Sequence, residues 1–191
     1  MQVTGKKISC RRGFKIIFRD LSFSVNDGEC LILSGQNGSG KTSLLKILSG
    51  FLELETGELS INHDDIHYIG SKHALRNSLS IYENLEFWSN MLEGNKSNII
   101  PALEKFGLGK IKGNQIENLS SGQIKRCSLA RLLLANKKIW LLDEPENALD
   151  KDFIPEFINI VDNHINNGGI AIIASHRTDL WKNKKIMEIS S

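Results

Sequence analysis

Gly35-Gln36-Asn37-Gly38-Ser39-Gly40-Lys41-Thr42 fits G-x-x-x-x-G-K-[ST], the pattern of a phosphate-binding loop. The short apolar segment Cys30-Leu31-Ile32-Leu33-Ser34 precedes it with strand character. Ser43-Leu44-Leu45-Lys46-Ile47-Leu48 follows with apolar residues at helical spacing. A loop between a strand and a helix is the setting this motif requires. Its glycines let successive backbone N–H groups turn inward and line an anion-binding nest, and the helix N-terminus adds unpaired N–H groups and a positive dipole end. Gly35, Asn37, Gly38, Ser39, Gly40, Lys41, Thr42 and the adjoining Ser43 are therefore the candidate phosphate contacts. Lys41 would carry its charge to the β- and γ-phosphates of a nucleotide, and the Thr42 hydroxyl would ligate Mg²⁺.

Working outward, the residues before the loop predict strands over 7–33, with Phe14 to Phe18 and Leu21 to Val25 as short apolar or alternating runs. Asn26-Asp27-Gly28 carries a hairpin-type turn signal, so an antiparallel β element is expected ahead of the loop. After it, Gly50 is placed to end the helix. Glu55-Thr56-Gly57-Glu58 reads as a turn before a strand at Leu59-Ser60-Ile61, and Ile66-His67-Tyr68-Ile69 reads as a further strand. From about 71 to 130 the pattern becomes helical, and this stretch is expected to form a small helical subdomain inserted in an α/β core. Ser80-Ile81-Tyr82-Glu83 fits a capping box, a second helix is expected from near Pro101 to Gly107, and a third over 123–135. Lys138 to Leu142 is a buried parallel strand ending in Asp143-Glu144. A helix carries Phe153, Phe157, Ile158, Ile160 and Val161 up to Gly168-Gly169, and Ile170 to Ala174 forms another buried strand that ends at Ser175-His176. Strand–helix alternation of this kind implies a mainly parallel sheet covered on both faces.

A chain of 191 residues suits a single domain over 1–191. A formal net charge of +2 is too small to argue for nucleic acid as a partner. No apolar run approaches the length that spans a bilayer, and no secretion signal is read at the N-terminus. Cys10, Cys30 and Cys127 are odd in number and far apart, which reads as reduced thiols and not as a disulfide framework or a metal site.

Asp143 and Glu144 stand at the C-terminal end of their strand, where ligands bind in open α/β sheets. An acidic pair after an apolar run also suits a solvated turn. Combined with the phosphate loop, Asp143 reads as a second Mg²⁺ ligand across from Thr42, and Glu144 as the carboxylate that orients the water attacking a γ-phosphate. His176, at the end of another strand, reads either as a contact to that phosphate or water, or as a polar cap.

Leu119-Ser120-Ser121-Gly122-Gln123 resembles the signature motif of ATP-binding-cassette (ABC) ATPases, usually Leu-Ser-Gly-Gly-Gln. Ile139 to Glu144 resembles their Walker B strand with its glutamate, Asn147-Ala148-Leu149-Asp150 their D-loop, and His176 falls at their switch histidine. With the phosphate loop, these motifs run in family order over nearly the whole chain. The resemblance implies an α/β P-loop NTPase fold of the ABC ATPase type, a homodimer with ATP and Mg²⁺ between the phosphate loop of one copy and the signature of the other, and integral membrane permease subunits as partners. Ser120 and the N-terminal end of the following helix, with Gly122 and Gln123, would then face the γ-phosphate held by a second copy. Asp150 would be a further nucleotide-site residue, and Glu144 and His176 would act on the chain's own nucleotide.

Two departures stand out. The family usually places an aromatic residue for adenine stacking where this chain has Arg12, so Arg12 or a shifted Phe14 is the expected base contact. The family glutamine after the strand at 66–69 is replaced by Ser71. The Tyr68-Ile69-Gly70 segment, Leu79-Ser80-Ile81-Tyr82-Glu83-Asn84-Leu85-Glu86-Phe87 and Trp140 to Asp150 are similar to the ATP-binding subunits of haem exporters in cytochrome c maturation. That similarity implies a place at the cytoplasmic face of the inner membrane and haem handling as the task. Another small ABC transporter, or a non-transport ABC protein acting on DNA or ribosomes, is the alternative.

Overall fold

The computed structural model describes residues 1–189. Five parallel strands form the central sheet in the order β5 (Ile66–Ile69), β6 (Ile139–Asp143), β7 (Ile170–Ala174), β3 (Cys30–Ser34), β8 (Lys185–Glu188). A second, antiparallel sheet has the order β2 (Lys15–Asn26), β1 (Gln2–Arg12), β4 (Thr56–Ser60). The helices are α1 (Lys41–Leu48), α2 (Ile81–Met91), α3 (Ile99–Lys105), α4 (Ser121–Ala130) and α5 (Ile154–Asn166).

The layering follows from strand periodicity. Every residue of β6 and β7 is buried, as expected of parallel strands covered on both faces. Alternate side chains then feed two cores. Ile32, Trp140, Leu142, Ala171 and Ile173 point to the side carrying Phe157, Ile160 and Val161 of α5 and Leu85, Leu103, Phe106 and Leu129 of the helices between β5 and β6. Leu31, Leu33, Ile139, Leu141, Ile170 and Ile172 point the other way, onto Leu44, Leu45, Ile47 and Leu48 of α1 and onto Val3, Ile8, Phe18 and Val25 of the antiparallel sheet. Helix α1 is thus held between two sheets. Its four fully apolar core residues each contribute about 1.5–3 kcal/mol by burial, which fixes the helix behind the phosphate loop.

The hairpin lies elsewhere than the sequence suggested. Arg12 pairs with Lys15 across a two-residue turn, Gly13-Phe14. Gly13 has φ of 59°, the left-handed geometry that short hairpin turns favour. The turn at Asn26-Asp27-Gly28 does form, with Glu29 N–H donating to Asn26 O at 3.0 Å, but it joins β2 to β3, strands of different sheets. Thr56 to Glu58 belongs to β4, paired with β1, so the expected turn there is strand. Helix α4 starts two residues earlier than expected, at Ser121, and gives way to a 3-10 turn over Arg131–Leu133. Strand β8 escaped the sequence reading, since it is four residues long, largely exposed and without an apolar run.

Between β5 and β6 the backbone is organised by three helices. Ser80 caps α2 through Glu83 N–H, and Glu83 reaches back to Ser80 N–H at 2.7 Å, completing the capping box. All three cysteines are buried and free, and burial pushes the Cys30 and Cys127 thiols up to about 12, which leaves them unreactive. No helix among the described residues is long and apolar enough to cross a membrane.

The capping box sets a stability expectation. Ser80→Ala removes the acceptor for the third N–H of α2 and should cost about 1 kcal/mol, a fall of about 2–4 °C in Tm for a chain of this size. Thermal unfolding followed by circular dichroism checks it, and an unchanged Tm would show that the first turn of α2 is held by packing alone.

Candidate functional site

The site begins with backbone sterics. Gly35 has φ of 138°, and a Cβ there would stand 2.5 Å from the Ile189 carbonyl oxygen. Gly40 has φ of 110°, and a Cβ there would stand 2.6 Å from Ile17 Cγ2. The loop is therefore pressed against β2 and the chain after β8, and only glycine fits at either point. Gly40 is the N-cap of α1 and supplies no side-chain cap, and the first turn carries no acidic residue. The N–H groups there stay open to an anion. Ser39 Oγ is buried without a hydrogen-bond partner. Lys41 Nζ folds back onto the carbonyls of Gly35 at 2.8 Å and Gln36 at 3.1 Å. Burial holds its ammonium below the usual lysine range, with Glu144 and Asp143 pulling the other way.

Next to it, Thr42 Oγ1 donates to the Asp143 carboxylate, 3.0 Å from Oδ1 and 3.1 Å from Oδ2. These residues lie far apart in sequence and meet because α1 packs on β6. Asp143 is almost fully enclosed. Burial pushes its carboxyl up, the Thr42 hydroxyl opposes this, and the charge of Glu144 adds to it. Glu144 follows in a left-handed conformation, φ 47°. Its Oε1 lies 3.1 Å from His176 Nε2, its Oε2 accepts from Asn147 Nδ2, and its N–H donates to Ala174 O at 2.9 Å.

Arg12, Lys15, Ile17, Asn37, Gly38, Gly40, Lys41, Thr42, Ser43 and Glu144 line one open cleft of about 360 Å³. The structure thus brings together the phosphate-loop residues, Thr42 with Asp143, Glu144 with His176, and Arg12 on the cleft wall. Phe14 sits at the hairpin tip, fully exposed, and is not part of the cleft lining. Ser71 lies in a different groove with Phe51, Tyr68, Trp88 and Arg131.

Signature residues form a separate group outside that cleft. Ser120 caps α4 by accepting from Gln123 N–H at 3.2 Å, while Gln123 Oε1 accepts from Ser120 N–H at 3.0 Å. The spacing Ser-x-x-Gln signals this box in the sequence, and it sets the helix start two residues ahead of the expected one. Asp150 lies against the same helix. A Cβ added to Gly122 would stand 3.0 Å from Asp150 Oδ1, and Arg126 Nη2 is 3.2 Å from Asp150 Oδ2. Ser121, where the family has glycine, is exposed at the first helical position.

Several neighbours were not anticipated. Lys125 is buried and its Nζ donates to the Glu144 carbonyl at 3.0 Å. Glu146 is buried and accepts from Ser175 Oγ. Nothing local in the sequence signals a buried lysine or glutamate, since both are ordinarily solvated.

A phosphate-binding loop, an acidic strand end and a capped signature helix on one αβα scaffold define a nucleotide-binding subunit. The ABC transporter family model matches residues 18–147. The chain belongs to this family, as an ATP-hydrolysing subunit. It is 39% identical to the cytochrome c biogenesis ATP-binding export protein CcmA of Ruegeria pomeroyi, over 99% of this chain and 91% of that protein. The CcmA of Rhizobium meliloti is 36% identical, with 100% and 98% covered. An ABC transporter ATP-binding protein from Pyrococcus furiosus superposes with a TM-score of 0.89 at 25% identity, covering both chains in full.

The cleft sets an expectation for base contact. Arg12→Ala should weaken ATP binding about fivefold, the value of a guanidinium–base contact of about 1 kcal/mol, and Phe14→Ala should change it by less than about twofold. Titration with a fluorescent ATP analogue checks both, and equal losses would put Phe14 in the contact.

Proposed function

We propose that this chain is the ATP-hydrolysing subunit of an export complex in cytochrome c biogenesis, with haem handling as the driven task. It works as a homodimer against integral membrane subunits at the cytoplasmic face of the inner membrane. In this reading residues 1–191 act as one ABC ATPase domain, with the helices of about 71–130 as its subdomain. The observation that carries the ATPase part is the convergence of Thr42–Asp143 and Glu144–His176 on the phosphate-loop cleft. The biogenesis part is supported by the near full-length match, in both directions, to the CcmA proteins.

The chain's own groups divide the work. The loop N–H groups and Lys41 hold the phosphates, and the ammonium exchanges two loop carbonyls for phosphate oxygens. Thr42 and Asp143 are hard oxygen donors already paired with each other, and they fit Mg²⁺, which commonly takes only one or two protein ligands beside phosphates and water. When bound, the ion neutralises charge on the phosphate oxygens. Among the described residues no cluster of three His, Cys, Asp or Glu offers a self-contained metal cage, in keeping with a site completed by the nucleotide. Glu144 accepts a hydrogen bond from the attacking water and takes its proton. With its proton on Nε2, His176 donates to Glu144 and fixes the direction of the carboxylate.

Signature residues Ser120, Gly122 and Gln123 lie outside the cleft, and Ser120 Oγ uses an acceptor position in its cap and keeps its own hydrogen to donate. This arrangement supports a site finished by a second copy, whose α4 N-terminus would approach the γ-phosphate. For the membrane partner, the offered face is the groove lined by Phe51, Tyr68, Ser71, Trp88 and Leu92. Phe51 lines this groove while largely exposed, and Phe87 beside Trp88 is also exposed, a combination that free surfaces seldom present.

Glu144→Gln tests the assignment. The amide keeps the shape but accepts a proton far less readily, so ATP binding should persist while hydrolysis falls by roughly 10² or more. An ATP-bound dimer should then accumulate and elute early on a sizing column, and Lys41→Ala should abolish it. Hydrolysis at the parent rate in Glu144→Gln would remove Glu144 as the base. Slow hydrolysis without a dimer, even with the membrane subunits present, would remove the shared-site mechanism.

A further inference from the structure

Glu144 is held at every polar group. Its left-handed backbone, φ 47°, is strained for a non-glycine residue and persists only when its surroundings enforce it. The N–H is fixed by Ala174 O, and the carboxylate by His176 and Asn147. The carbonyl accepts from Asn147 N–H at 3.2 Å and from Lys125 Nζ at 3.0 Å. Of these partners, Lys125 alone comes from the helices between β5 and β6. It stands on α4, somewhat more than one turn beyond the Ser120 cap and about 7.5 Å along the helix axis.

Lys125 is 3% exposed and Glu146 5% exposed. Burial lowers the ammonium and raises the carboxyl, and Glu146 is the strongest of the charges drawing Lys125 back towards its ordinary state. Glu146 Oε1 takes the Ser175 hydroxyl, while Oε2 has no hydrogen-bond partner. A buried cation on the signature helix and a buried carboxylate on the loop after β6 thus act on each other through charge, without forming a direct ion pair. Burying both charges is costly, and hydrophobic residues would hold this interface at less expense. What the ammonium does that an apolar side chain could not is hold the Glu144 carbonyl.

We propose that Lys125 is a positioning residue for Glu144, so that hydrolysis of the chain's own nucleotide depends on where its signature helix sits. The inference rests on the reading of Glu144 given above. Ser120, at the start of α4, is the part of this chain that would meet the nucleotide of a second copy. Movement of α4 on that contact reaches Glu144 through one hydrogen bond, and the two nucleotide sites of a dimer are thereby linked inside each chain. Ser175 holds the Glu146 carboxylate, and the Glu146 charge favours the charged ammonium without a direct ion pair to it.

The test uses the full chain with its membrane subunits. Lys125→Met alone would strand the Glu146 charge and risk unfolding, so the informative variant is Lys125→Met with Glu146→Gln, which removes both charges together. Its Tm and its affinity for a fluorescent ATP analogue should stay close to the parent. The kcat should fall about tenfold or more at nearly constant KM, the signature of an interaction needed only in the transition state. An ATP-bound dimer should persist on a sizing column. Lys125→Arg should recover most of the loss, since a guanidinium still donates to the carbonyl. Glu146→Gln alone, which leaves Lys125 on the carbonyl, should fall much less than the double variant. Parental kcat in the double variant, with Glu144→Gln slow, overturns the positioning role while leaving the ATPase reading intact. A collapse of Tm or of ATP binding in the double variant also overturns it, by showing a structural pair only. Parental hydrolysis in Glu144→Gln overturns the reading beneath it.

Discussion

An unsatisfied helix N-terminus is the constraint on which this molecule depends. Helix α1 begins at Lys41 behind a glycine that offers no cap, so its first N–H groups lack partners of their own. In α2 and α4 the same need is met by capping boxes built on Ser80 and Ser120. Leaving α1 open is possible because its other end is so firmly placed. Leu44, Leu45, Ile47 and Leu48 are packed between the parallel sheet and the antiparallel sheet, and that burial far outweighs one missing cap. The hydrophobic layering thus carries the energetic burden of a helix end kept available for an anion.

The same logic governs the charges. Lys41, Asp143, Lys125 and Glu146 are all nearly enclosed, and enclosure disfavours each charged form. The network answers by pairing across elements: Lys41 with loop carbonyls, Asp143 with Thr42, Lys125 with the Glu144 carbonyl, Glu146 with Ser175. The Lys41 contact is local, but the other three join segments distant in sequence, so the polar network also fixes α1, α4, β6 and β7 relative to one another. A site of this kind is preorganised before any nucleotide arrives.

Two groups of functional side chains are kept apart by the fold. The phosphate loop and Glu144 line one cleft, with Asp143 bound to Thr42 and His176 to Glu144 behind it, whereas Ser120, Gly122 and Asp150 gather around the start of α4. Lys125 is the covalent and hydrogen-bonded link between them. On the proposed reading, each chain holds one nucleotide and senses another.

Local chemistry was legible without the fold. The glycine spacing of 35–42, the Ser80–Glu83 box, the continuous apolar runs of β6 and β7 and the acidic strand end are readable within a few residues, and the resemblance to ABC ATPases rests on short segments of the same kind. The hairpin at Gly13-Phe14 was misplaced because the stronger turn signal at Asn26-Asp27-Gly28 serves a change of sheet, and turn chemistry does not state which strands will pair. Tertiary structure alone decided that Arg12 lines the cleft while Phe14 points away, that β8 completes the sheet edge, and that Lys125 and Glu146 are buried. A lysine and a glutamate are solvated by default. Only the packing of α4 against the end of β6, built from residues throughout the chain, removes their water and turns two ordinary surface residues into part of the site.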